Sequence, residues 1–156
     1  MRRTERSRGF ESYPIRHLIL CVIVFMHYDL DNAPDTYIDR SSMHGFGLFA
    51  QKNFLKGDII VNYGLFPYEW YTTLYSKLSQ EKIANSAYVM LDDTRCITTD
   101  KKTKFKYVNH SRFANCTNSF KDKLIIAIRD INIHEEILID YREDPLAKGA
   151  TYPFWI

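Results

Sequence analysis

The sequence has no CxxC or CxC pair; its three cysteines, Cys21, Cys96 and Cys116, stand far apart. That spacing argues against a structural zinc cluster, and an odd count argues against a disulfide framework. The lack of a disulfide framework favours a reducing, intracellular compartment, nuclear or cytoplasmic. There is no strong excess of charge of either sign. A formal net charge of +2 is too small to imply a nucleic-acid binder, so no strong direct nucleic-acid contact is expected. There is no βαβ alternation and no Gly-rich turn between a strand and a helix, which disfavours a Rossmann-type cofactor fold. Ser111 follows His110, but without the G-x-S-x-G context that exposes a nucleophile. His44, His110, His134 and Cys116 show no recognisable metal-ligand spacing, so no metal is expected.

One apolar run, residues 18–26 (LILCVIVFM), falls short of the ~20 residues that cross a bilayer. It follows an Arg-rich start, like a signal peptide, but no small-residue cleavage site comes after it. A buried strand or structured extension is the preferred reading, and no membrane association is expected.

What is present suits one folded domain. Of the 156 residues, 46% are hydrophobic, 26% charged and 15% aromatic. Residues 31–35 (DNAPD) read as a loop and a boundary. Strands are expected over 58–63, 87–91, 95–99, 123–129 and 137–141, with 87–91 and 95–99 joined through Asp92-Asp93-Thr94 and the last two forming another pair. Pro67 fits a first helical turn, and Tyr71, Leu74, Tyr75 and Leu78 recur at helical spacing, so one helix is expected over 67–83. The lysines 101, 102, 104 and 106 read as a solvated loop or as a contact for an acidic surface or phosphates. Many short strands and one modest helix make a mostly β, α+β domain.

Three segments carry candidate chemistry. Gly45-Phe46-Gly47 offers a backbone that can approach a ligand closely. Asn109-His110 can present donors and acceptors to a heteroaromatic edge. Residues 126–141 (IAIRDINIHEEILIDY) run as strand, turn, Glu pair and strand, ending in Tyr141. Each has a plain reading: a β-turn, a polar loop and a β-hairpin with solvent-facing carboxylates. Taken in order, with Asn62-Tyr63-Gly64, Ser111, Asn115 and Asp140 completing the pattern, they resemble the SET domain of protein lysine methyltransferases. The resemblance spans about 37–141, with Ala114 in place of the usual Pro and His134 in place of the usual Gly before the Glu pair.

The resemblance implies a fold of several small sheets with a C-terminal pseudoknot. The implied division is an N-terminal extension (1–34), a SET domain (35–142) and a tail (143–156) that closes the cofactor and lysine site. It implies S-adenosylmethionine as cofactor and a lysine-containing protein, a histone tail being the commonest target, as substrate. Tyr141 would be the catalytic tyrosine, with Tyr63 lining the same channel or serving the core. His44, Gly45, Phe46, Gly47, Asn109 and His110 would hold the cofactor, and Trp155 would pack on its adenine. Glu135-Glu136 would cap a strand or support the pocket. Ile139 stands where many members carry Phe or Tyr, which leaves the number of methyl groups open. Two alternatives remain: a SET-fold binding module without catalysis, and a secreted protein glycosylated at the Asn109 and Asn115 sequons.

Overall fold

The computed structural model describes residues 31–145. The expectations for the 18–26 run and for Trp155 lie outside these residues. Ten short strands form four small sheets. Strands β1 (Thr36–Arg40) and β2 (Phe46–Ala50) make an antiparallel hairpin. Strand β9 (Leu124–Ala127) lies between β3 (Ile59–Asn62) and β8 (Cys116–Ser119). Strand β6 (Arg95–Thr98) lies between β4 (Tyr71–Leu74) and β5 (Tyr88–Met90). The two-residue strands β7 (Asn109–His110) and β10 (Leu138–Ile139) run parallel.

Alternation explains the packing. Along β9 the burial pattern alternates, so Ile125 and Ala127 enter the core while Leu124 and Ile126 do not. Leu48, Val61, Ile125, Ile131 and Ile137 are fully buried together, each contributing about 1.5–3 kcal/mol by leaving water. Among the described residues, no helix is long and apolar enough to cross a membrane.

The expected helix over 67–83 is absent. Residues 71–74 are a strand, Tyr75–Lys77 is a 3₁₀ turn, and the α-helix α1 covers only Gln80–Asn85. Two local preferences defeat the helical spacing. Tyr71-Thr72-Thr73 suits a pleated surface and finds a partner in β6, with Thr72 opposite Ile97. Ser79 then caps the short helix by accepting from the Lys82 backbone N–H at 3.1 Å. Tyr71 and Leu74 are exposed, so the stripe that imitated a helical face is no core face.

The 87–91 and 95–99 strands pair as expected around Asp92, whose carboxylate accepts from the Thr94 and Arg95 backbone N–H groups. The pairing expected between 123–129 and 137–141 does not form. The chain after β9 crosses to β2 instead, where Ala50 N–H donates to the Glu135 carbonyl and Ile137 N–H to that of Leu48. Strand β10 then reaches β7, laying Ile139 beside His110, as the pseudoknot expectation requires.

The 31–35 segment is irregular, yet it enters the core. Asn32 and Ala33 are buried, and the Asn62 N–H donates to the Asn32 carbonyl at 2.9 Å. Lys104 anchors this segment rather than sitting in a solvated loop. Its ammonium is buried and donates to the Ala33 and Thr36 carbonyls at 2.7 and 3.0 Å, with Asp31 at 3.1 Å. A buried charge is tolerated only with such partners. Lys104→Met should therefore lower unfolding free energy by roughly 2–4 kcal/mol, because two carbonyls lose their donor. Urea denaturation reads this directly; an unchanged midpoint would show that the amine anchors nothing.

Candidate functional site

The site begins at the turn between β1 and β2. Ser41 N–H donates to the Gly45 carbonyl at 3.0 Å, and its Oγ accepts from the Met43 and His44 N–H groups at 2.9 and 3.2 Å. Gly45 takes φ +53°, a left-handed conformation that closes the turn at little cost for glycine. Gly47 is required for a different reason. A Cβ there would lie 2.1 Å from Glu136 Oε1 and 3.1 Å from Ser41 Cβ. Its missing side chain makes room for a carboxylate of the same protein.

Strand β7 meets this turn from the other side. Asn109 Nδ2 donates to the His44 and Phe46 carbonyls at 3.2 and 3.1 Å and to Glu136 Oε1 at 2.8 Å. Glu136 Oε2 accepts from Ser41 Oγ at 2.9 Å. Asn115, fully buried, fixes the Glu136 backbone: its amide donates to the Glu136 carbonyl at 2.7 Å and accepts from Leu138 N–H at 2.8 Å. The two glutamates of the pair thus diverge. Glu135 meets Arg129 near the surface at 2.6 Å, whereas Glu136 is 9% exposed beneath the turn. Both sequon asparagines commit their amide nitrogens to the protein, and Asn115 is inaccessible, so a glycan at either would break the site.

Tyr141 closes the third side. Its backbone N–H donates to His110 Nδ1 at 3.1 Å, and its hydroxyl donates to the Val108 carbonyl at 2.6 Å. Accepting through Nδ1 leaves His110 its proton on Nε2, and burial holds this imidazole below its ordinary pKa against the pull of Asp140. Burial pushes the Tyr141 phenol up to about 12, with a contribution from Asp144. The phenol is therefore a neutral donor at physiological pH. Asp140 is held down to about 2, chiefly by Arg142.

Tyr63 is buried to 1% exposure between Trp70 and Phe105, with ring centroids 5.8 and 5.2 Å away. Its hydroxyl donates to Asn118 Oδ1 at 2.9 Å. This is the core placement that stood beside the channel role. The structure thus brings His44, Gly45, Phe46, Gly47, Asn109, His110 and Tyr141 together. Phe46 stays exposed beneath the Arg40 guanidinium. Ser41 and Val108 carry no distinctive sequence signal, and Glu136 stands out in the sequence only as half of a pair. Among the described residues, no group of three His, Cys, Asp or Glu can hold a metal ion.

Asp144 shares the field of both tyrosines. Burial raises its carboxyl from 3.8 to about 6; hydrogen bonding from Asn118 opposes the shift, and Glu143 and Asp140 add to it. The native state therefore prefers the protonated acid. Its ionisation costs stability that is intact below the unfolded pKa and lost as pH rises through the folded one. Asp144→Asn should raise the thermal midpoint above wild type at about pH 8, with the difference vanishing near about pH 4. A variant no more stable than wild type at the higher pH would contradict this.

Comparison with known proteins gives the family of the chain. The SET domain family profile matches residues 45–142. A histone-lysine N-methyltransferase, H3 lysine-4 specific, of Chaetomium globosum is 32% identical over 112 residues, 66% of this chain and 10% of that protein. The N-lysine methyltransferase KMT5A of Xenopus tropicalis is 27% identical over 130 residues, 75% of this chain and 39% of that protein. This chain thus spans only about a tenth of the length of the first of these curated relatives. The solved structure of CpSET8 from Cryptosporidium superposes with a TM-score of 0.49 at 19% identity, over 76% of this chain and 59% of that one. With Gly45-Phe46-Gly47, β7 and Tyr141 lying inside the matched residues, the chain belongs to the SET-domain family.

Proposed function

We propose that this chain is a protein-lysine N-methyltransferase that takes its methyl group from S-adenosylmethionine. The observation that carries the reading is the convergence of three distant segments. The β1–β2 turn, Asn109-His110 and Tyr141 meet through bonds from Asn109 to the turn and from Tyr141 to His110.

The residues present fit the cofactor. The turn 43–47 offers backbone groups on a glycine-shaped surface, already held rigid by Ser41 and Asn109. His110 keeps a donor at Nε2 for a heteroaromatic acceptor. When bound, the sulfonium supplies an activated methyl group and needs no metal. Asn109, His110 and residues 45–47 would hold it.

Tyr141 cannot serve as the base, because its proton is retained up to about 12 and is directed at Val108. It serves instead as an acceptor. Its hydroxyl oxygen keeps lone pairs that would orient the incoming amine beside the methyl group the cofactor supplies. A free lysine, with a pKa of roughly 10.4, is mostly protonated at neutral pH. That proton must be lost to water before the amine can act as a nucleophile toward the methyl group the cofactor would supply. Alignment then supplies much of the rate.

Histone tails are the proposed substrate class, supported by relatives named histone-lysine N-methyltransferases. A nuclear location follows from that substrate. In transfer of labelled methyl to core histones, Tyr141→Phe should lower kcat about a hundredfold while leaving the chain folded. Cofactor binding by wild type without labelling would favour the binding-module reading. Failure of both binding and labelling would sink the proposal.

A further inference from the structure

We infer that Glu136 is a positioning residue that latches the cofactor turn to the Asn109-His110 strand, and that its negative charge is what makes the latch. The inference rests on the methyltransferase reading of the site and assigns a task to a side chain that would not itself touch the reacting atoms.

The carboxylate sits where two hydrogen-bond chains end. On one side Oε2 accepts from Ser41 Oγ, which in turn accepts from Met43 N–H and His44 N–H. On the other side Oε1 accepts from Asn109 Nδ2, which also donates to the His44 and Phe46 carbonyls. The turn is therefore gripped through its donors by Ser41 and through its acceptors by Asn109, and both grips meet on one carboxylate. His44 is held through both its N–H and its carbonyl.

Charge matters because every partner of this carboxylate is a donor. An ionised carboxylate is acceptor-only, whereas a glutamine amide presents an NH₂ at one end. In Glu136→Gln that NH₂ must face either the Asn109 NH₂, a donor against a donor, or Ser41 Oγ. The latter already accepts two N–H groups, and its own proton would lose its acceptor. Neither orientation satisfies the set, and an unmet buried donor costs more than a lost bond. The backbone position is secured independently, by Asn115 and by the pairing of Glu136 with Phe49. Gly47 completes the fit, since any larger residue would occupy the Oε1 position.

The latch should set cofactor affinity rather than the chemical step, because Tyr141 is held separately by Val108 and His110. Calorimetry on the full chain, with S-adenosylmethionine and with S-adenosylhomocysteine as probes, tests this. Glu136→Gln should weaken both by roughly tenfold, with kcat at saturating cofactor within about threefold of wild type. An equal loss for both probes supports positioning. A loss confined to the sulfonium form would mean direct charge attraction and overturn the latch, as would unchanged affinity. If Glu136→Gln fails to fold, Ser41→Ala decides: it should weaken both probes several-fold, and unchanged binding would overturn the inference. Wild type that binds neither probe would indict the methyltransferase reading instead.

Discussion

A carboxylate taken out of water must be surrounded by donors, and the arrangement of this protein around Glu136 follows from meeting that demand. Ser41 and Asn109 supply two donors from segments far apart in the chain. Meeting the carboxylate brings the β1–β2 turn against β7. Asn115 adds a fixed backbone on the other side of the same residue. Burial of an unpaired charge costs several kcal/mol, so the segments that satisfy it are coupled in one cooperative unit. Leu48 and Ile137, fully buried on either side of this contact, back the carboxylate with apolar core while the turn itself faces solvent.

The same logic separates the roles of the aromatic hydroxyls. Tyr63 is buried and Tyr141 half-buried, and both lie within the field of Asp144. Tyr63 gives its proton to Asn118 among aromatic rings, which makes it a core residue. Tyr141 gives its proton to a backbone carbonyl in the stretch that leads into Asn109-His110, at the edge of the turn. Position relative to β7, more than acidity, distinguishes the candidate catalytic hydroxyl from the structural one.

Much of the site was legible because short-range patterns mark it. Gly45-Phe46-Gly47, Asn109-His110 and Asp140-Tyr141 each have a plain reading alone; their order and spacing, through the family resemblance, mark them together, and the structure brings these segments to one place. Glu136 was half-legible: the pair with Glu135 stands out, but only the backbone course decides which member turns inward. His134, at the position where the family usually has Gly, keeps the left-handed φ of +68° that glycine favours, with its ring packed on Tyr37 and its Nδ1 hydrogen-bonded to the Tyr37 hydroxyl. The 67–83 segment misled because Tyr and Leu at helical spacing also satisfy a strand followed by a tight turn. Pairing with β6 lies outside any local window. The same holds for Lys104, whose buried anchoring of the 31–36 segment depends on contacts about seventy residues away in the chain.

The central claim is that the turn 41–47, β7 and Tyr141 form one cofactor and lysine site built on Glu136. A crystal structure of the chain with S-adenosylhomocysteine tests it most directly. The account predicts the ligand against the backbone of residues 45–47 and beside Asn109-His110, with Glu136 still bonded to Ser41 and Asn109. A ligand bound elsewhere, or a Glu136 swung out to contact the ligand itself, would contradict it.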